Sequence, residues 1–318
     1  MRAKLFSSGS VMLFLTAFIW GFAFVAQSSA MDAVSPFTFN CIRSFLGGVV
    51  LIPCTFAIDR ISGVRRSAFL TKNELLGGVA CGVVLAVASM LQQYGIAMGA
   101  SAGKAAFITS LYVIFVPMMA LFVGKRTSPF VLFGAFMALV GVALISVKSG
   151  QSLYVEMSDL VLLGCAILFA LHIIVIDFAS PKGDGVRISM VQFFVCGILT
   201  APFMLFLERP ELSDVLNASG PIAYAGIFSC GVAYTLQIIG QKKCDPTAAT
   251  IILSLESVFG AIGGALLLGI IGGDKNELMT PRQIVGCAIV FSAVLITQLK
   301  NSKTERKAEN TKESKKCE

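Results

Sequence analysis

Three ionisable side chains stand inside apolar runs of this 318-residue chain: Glu256 between Leu255 and Val258, Arg43 between Ile42 and Phe45, and His172 between Leu171 and Ile173. A carboxyl in such a setting can take up and release a proton, a permanently charged guanidinium can hold an anion, and an imidazole can titrate and act as a gate. Beside them stand uncharged hydrogen-bonding groups, Gln92, Gln93 and Tyr94 in one run and Tyr234, Gln237 and Gln241 in another. Positions 234, 237 and 241 recur at three and four residues, so on a helix they share one face. Trp20 and Phe24, one turn apart, add an aromatic wall that either packs against a neighbour or lines a cavity.

The same inventory argues against an enzyme. The nine cysteines lie singly with no Cys-x-x-Cys pair, and the single histidine excludes a His-x-x-x-His zinc site and leaves His172 as the only base for a Ser-His-Asp triad. Gly103-Lys104 resembles part of a phosphate loop, but Met98 stands where its first glycine belongs and Ala105 where its hydroxyl belongs. No metal, no cofactor and no catalytic residue are expected.

Elements that can position these groups follow from composition. With 56% hydrophobic and 14% charged residues, and apolar runs of about 20 residues in succession, the chain reads as an all-α integral membrane protein. Ten transmembrane helices are expected near 10–30, 36–58, 75–98, 102–123, 129–147, 160–177, 188–207, 221–240, 247–271 and 282–299. The seventh is the weakest, because Pro202 interrupts it. None of the runs alternates apolar and polar residues as the strands of a membrane barrel do. Glu256 then falls about nine residues into its span, roughly 14 Å along the axis and near the midplane of a core about 30 Å thick. A charge there is costly unless a cation lies close by. His172 has a similar depth and Arg43 lies nearer the outer surface.

Landmarks recur roughly 150 residues apart: Leu91-Gln92 with Gly95 returns as Leu236-Gln237 with Gly240, and Ser128-Pro129 with Gly134 returns as Thr280-Pro281 with Gly286. Each half holds five spans, an odd number, so the second half enters the bilayer from the opposite side. Two inverted five-helix repeats, 1–148 and 158–299, are therefore expected, followed by a disordered, lysine-rich cytoplasmic tail at 300–318. Gln92 and Gln237 occupy equivalent places in the two. Gly78 with Gly82, Gly95 with Gly99 and Gly260 with Gly264 have the spacing that lets helices approach closely, and Pro117 is a candidate kink.

Basic residues set the orientation. With the N-terminus inside, the internal pieces carry Arg2, Lys4, Arg60, Arg65, Arg66, Lys72, Lys125, Arg126, Lys182, Arg187, Lys242, Lys243 and the basic tail, against Lys104, Lys148, Arg209, Lys275 and Arg282 outside. Both termini are expected in the cytoplasm and the chain in the plasma or inner membrane. The net charge of +7 then serves orientation, and nucleic-acid binding explains it poorly. The first span opens like a secretory signal, but cleavage would destroy the repeat.

Taken in order, Trp20-Gly21 in the first span, Ser35-Pro36 leading to Arg43, Leu255-Glu256 in the ninth, and Glu277-Leu278 with Thr280, Gln283 and Gly286 leading into the tenth resemble the drug/metabolite transporter superfamily in its EamA-type branch. The resemblance spans essentially the whole membrane part. It implies duplicated five-helix units that export or exchange small metabolites, often amino acids, through a central cavity built mainly from spans one, three, four, six, eight and nine. The sequence departs from the pattern at Ser257, where a proline commonly follows the glutamate, at Lys125, where an acid is common, and at 272–276, which lengthens the ninth connection.

The expectation is thus a secondary active transporter of small polar metabolites working by alternating access. Glu256 is the coupling or gating group, with proton coupling as a hypothesis drawn from its burial. Arg43 is a structural or anion-facing charge, Gln92, Tyr234 and Gln237 are solute contacts, and Trp20 and His172 are further lining residues. The partners are a small-molecule substrate and the lipid bilayer; the oligomeric state is not set by sequence. The competing reading is a membrane sensor or scaffold subunit in which the same polar groups only hold helices together.

Overall fold

The computed structural model of the chain describes residues 7–63, 66, 68–100, 102–124, 128–146, 156–271 and 279–314. Arg2, Lys4, Arg65, Lys125, Arg126, Lys148, Lys275, Glu277-Leu278 and the 272–276 connection lie outside them. The described residues form helices and short connections, with no strand among them.

Several helices begin where a side chain serves their free N–H groups. Ser7 caps α1 (Ser8–Ala30) through Ser10 N, and Pro36 opens α2 (Pro36–Ser62), which closes on Gly63 at φ 64°. Thr71 and Glu74 form a reciprocal capping box on α3 (Lys72–Ala97). The fourth span is broken into α4 (Ala102–Ser110) and α5 (Tyr112–Phe122), and α6 (Pro129–Ser146) follows. Glu156 and Asp159 box the start of α7 (Met157–Ala179), and Asp184 caps α8 (Gly185–Phe203). Pro202 does not end the seventh span, which continues as a wider π turn over Met204–Glu208. Short α9 (Leu212–Asn217) and α10 (Ser219–Ala223) lead into a π segment, Tyr224–Ala233, and α11 (Tyr234–Gln241). Asp245 caps α12 (Pro246–Leu253), and α13 (Leu255–Gly264) follows after a break at Ser254. The last helix, α14 (Pro281–Ser314), runs on where composition gives an unstructured tail; Lys, Glu, Ala and Arg in that stretch are strong helix formers.

Eight helical segments among the described residues are long and apolar enough to cross a membrane, and two shorter apolar helices, Pro129–Ile145 and Pro281–Thr297, accompany them. Large apolar side chains such as Phe122, Phe206, Leu207 and Ile271 point outward, as a lipid-facing surface requires.

Small residues set the closest helix pairs. A Cβ on Gly286 would lie 2.6 Å from the carbonyl oxygen of Gly141, and one on Gly141 would lie 2.8 Å from that of Gly286, so α6 and α14 touch backbone to backbone. Gly78 and Gly82 press in the same way on Val191 and the Gln192 carbonyl of α8. Gly99 plays another part: at φ 97° it turns the chain out of α3.

Both ends of the α2–α8 pair are fastened by charge. At one end the buried Arg187 bonds Asp59, donates Nε–H to the Phe69 carbonyl (2.8 Å) and faces Asp184 (3.6 Å), while Arg66 bonds the buried Glu74 (2.7 Å) and stands 3.6 Å from Asp59. At the other end Glu208 accepts from the backbone N–H groups of Phe37 (3.0 Å) and Thr38 (2.6 Å) and from the Thr38 hydroxyl (2.7 Å), serving the start of α2.

Candidate functional site

Glu256 enters the protein interior at the head of α13, two residues past the break at Ser254. No proline makes that break. The Ser254 hydroxyl donates to the Ile251 carbonyl (2.7 Å) and the Ser257 N–H to the Ser254 carbonyl (3.2 Å), which tightens the backbone locally. The break between α4 and α5 lies alongside. There the Ser110 and Ser257 hydroxyls meet at 2.9 Å, the Tyr112 hydroxyl donates to Glu256 Oε1 at 2.9 Å, and the Ser110 hydroxyl reaches the same oxygen at 3.5 Å. Pro117, one turn further on, leaves a carbonyl of α5 without its helical partner. Two interrupted helices therefore cross at the carboxylate, and neutral donors are its only polar contacts among the described residues.

In front of this crossing lies a cavity of about 30 Å³, room for roughly two waters. Trp20, Phe24 and Gln27 of α1, Arg43 of α2, Gln92 of α3, Thr109 of α4 and Tyr112 of α5 supply one side. Phe169 of α7, Ser229 of the π segment, Tyr234 of α11 and Glu256 of α13 supply the other. Trp20 and Tyr234 meet across it with ring centroids 4.6 Å apart. Tyr234 lies within electrostatic range of both Arg43 and Glu256.

Arg43 is 6% exposed, and its guanidinium stacks 5.0 Å over the ring of Phe39, one turn earlier on α2. Among the described residues no carboxylate or carbonyl meets it. Among its described lining residues the cavity thus holds one cation and one carboxyl, and the two do not pair with each other. Polar groups without protein partners complete the lining, among them Trp20 Nε1 and Gln27 Oε1. Gln92 spends its amide N–H on Thr109 at 3.3 Å.

Six of the positions singled out by sequence, Trp20, Phe24, Arg43, Gln92, Tyr234 and Glu256, come together here. His172 does not: its Nε2 pairs with Gln192 Oε1 at 2.9 Å, and its ring stands behind Tyr234 at 6.0 Å. Gln237 is buried one turn beyond Tyr234, with Oε1 unpaired and away from the lining. Gln93 donates to the Gln27 carbonyl of α1, Gln241 to the Ile173 carbonyl of α7, and Tyr94 faces outward. Sequence reasoning did not single out Gln27, Thr109, Ser110, Tyr112 or Ser229. The signal for Thr109 to Tyr112 was a polar cluster one turn before Pro117; Gln27 and Ser229 are lone polar residues in apolar runs and carry no such mark. Among the described residues no group of three His, Cys, Asp or Glu side chains is placed to hold a metal.

The profile of the EamA-like transporter family matches this chain twice, over residues 7–147 and 156–299. An uncharacterized transporter of Archaeoglobus fulgidus is 28% identical over 290 residues, covering 91% of this chain and 85% of that protein. The uncharacterized transporter YwfM of Bacillus subtilis is 22% identical over 289 residues, covering 90% and 92%. A solved crystal structure superposes with a TM-score of 0.71 at 18% identity, covering 92% of this chain and 99% of its own, a likeness of fold.

Proposed function

Since this chain belongs to the EamA-like transporter family, we propose that it is a secondary active carrier that exports or exchanges small polar metabolites such as amino acids by alternating access. The observation that carries this reading is the cavity itself, to which both halves contribute and in which a carboxyl and a guanidinium stand apart. Lining by two halves is what a rocking mechanism needs, because motion of one half against the other then opens the site to one face at a time.

Ten spans arranged as two inverted repeats, 1–148 and 158–299, suit this reading. The two family matches divide the chain at the same place. Helix pairings repeat when the halves are exchanged: α3 packs on α7 as α11 packs on α1, α13 rests on α1 as α5 rests on α7, and α2 with α8 and α6 with α14 pair across the halves. The excess of basic residues on one side puts both termini in the cytoplasm.

Glu256 serves as the protonatable coupling group, Arg43 as the charge facing the solute, and Gln92 and Tyr234 as hydrogen-bonding contacts, with Trp20 as an aromatic wall. His172 acts from behind the lining, against the Tyr234 ring, and Gln237 from its buried place one turn beyond Tyr234. A cavity of about 30 Å³ is too small for a metabolite, so loading requires the halves to separate. Counterflow in proteoliposomes tests the function: saturable exchange of one class of labelled amino acid or related metabolite is expected. No exchange across a broad panel would contradict it and favour a scaffold.

A further inference from the structure

We propose that Arg43 is the docking point for a carboxylate of the transported solute, so that the carrier selects singly charged organic acids and amphoteric compounds over their neutral analogues. The inference rests on the carrier reading above and adds to it the chemical class recognised at one subsite.

A guanidinium cannot shed its charge, so burying it demands a counter-group. Arg43 lies seven residues beyond the start of α2, roughly 10 Å along the helix. Its side chain does not escape to water, being 6% exposed and turned towards the cavity. The ring of Phe39 covers one face. Its donors find no acceptor among the described protein groups, whereas Arg187, 1% exposed, bonds the Asp59 carboxylate and the Phe69 carbonyl. The contrast separates a structural arginine from one whose partner arrives from outside.

The rest of the lining fits an oxyanion of single charge. Trp20 Nε1 is a buried donor without a partner, and the hydroxyls of Ser229 and Tyr234 line the same space. Arg43 is the one cation among the described lining residues. A phosphate dianion would leave a charge unmatched there, while a carboxylate can accept two parallel bonds from one guanidinium. Across the cavity Glu256 supplies the opposite pole, which suits a solute that also carries an ammonium group.

The chain has a single tryptophan, and Trp20 lines this cavity, so emission excited selectively at tryptophan comes from one side chain at the subsite. Purified protein in nanodiscs is titrated at constant ionic strength with acetate, with the isosteric neutral acetamide, and with phosphate. A saturable emission change with acetate, absent with acetamide and weaker with phosphate, is expected. In Arg43→Gln its affinity should fall about tenfold or more, the range for a lost charge-assisted bond, and in Arg43→Lys less. No saturable acetate response in the wild type, or one of equal affinity in Arg43→Gln, overturns the proposal. If Arg43→Gln fails to elute as a monodisperse species, the acid–amide contrast in the wild type and the Arg43→Lys titration decide in the same sense. Counterflow with matched acid and amide pairs separates the two readings. Flux of amides undiminished in Arg43→Gln removes the carboxylate subsite and leaves the carrier. Acetate binding at Trp20 with no flux of any solute removes the carrier and leaves the subsite.

Discussion

Replacing Arg187 by methionine should destabilise the protein more than any other single change at its charged end. The guanidinium is 1% exposed and bonds Asp59, the Phe69 carbonyl and, more distantly, Asp184. Breaking a buried pair from one side typically costs about 3–5 kcal/mol, because the remaining charge is stranded. Here Asp59 and Asp184 keep about a quarter of their side-chain surface in solvent, and Arg66 stands 3.6 Å from Asp59, so the loss should be smaller, about 2–3 kcal/mol. Removing both charges, Arg187→Met with Asp59→Leu, replaces the pair by apolar groups of similar bulk and should recover at least about half of that loss. Thermal unfolding in mild detergent, followed by Trp20 emission, measures the four corners of the cycle. If Arg187→Met unfolds within about 0.5 kcal/mol of the wild type, or the double variant is no better than the single one, the cluster is not the fastening described here.

Other consequences lie along the same helices. Gly286→Leu should force α6 and α14 apart, since even a Cβ meets the Gly141 carbonyl at 2.6 Å; a loss of about 1–3 kcal/mol in thermal unfolding is expected, and unchanged stability would deny the backbone contact. Glu208→Ala should cost about 1–2 kcal/mol by leaving the Phe37 and Thr38 N–H groups unserved, read in the same unfolding assay. Tyr112→Phe removes the 2.9 Å bond to Glu256 and should lower accumulation driven by a pH gradient about tenfold, while Ser110→Ala, whose bond is 3.5 Å, should lower it less. Equal rates in the two variants would count against Tyr112 as the orienting group.

Membrane-length apolar helices were legible because lipid leaves the backbone no other partner than its own helix. The glycines of α3 and Glu256, Arg43 and Trp20 were legible for a related reason: a small residue or a polar one is conspicuous in an apolar run. Pairing was not. Arg187 reads from sequence as a cytoplasmic loop charge, and only the fold carries Asp59, 128 residues away, to its side. The same holds for His172, whose isolation in sequence gives no sign that Gln192 faces it. The break at Ser254 was hidden because proline, the usual marker, is missing, and hydroxyl-to-carbonyl bonds within one turn do the bending. Tyr112 reads as one more aromatic residue until its hydroxyl is brought to the Glu256 carboxyl of α13.

The most direct measurement is accumulation of a transported solute in proteoliposomes under an imposed pH gradient, comparing the wild type with Glu256→Gln. The gradient should drive accumulation in the wild type, and the variant should lose this drive while still exchanging solute in counterflow. Equal gradient-driven accumulation in the two proteins would contradict this and return Glu256 to the role of a buried helix contact.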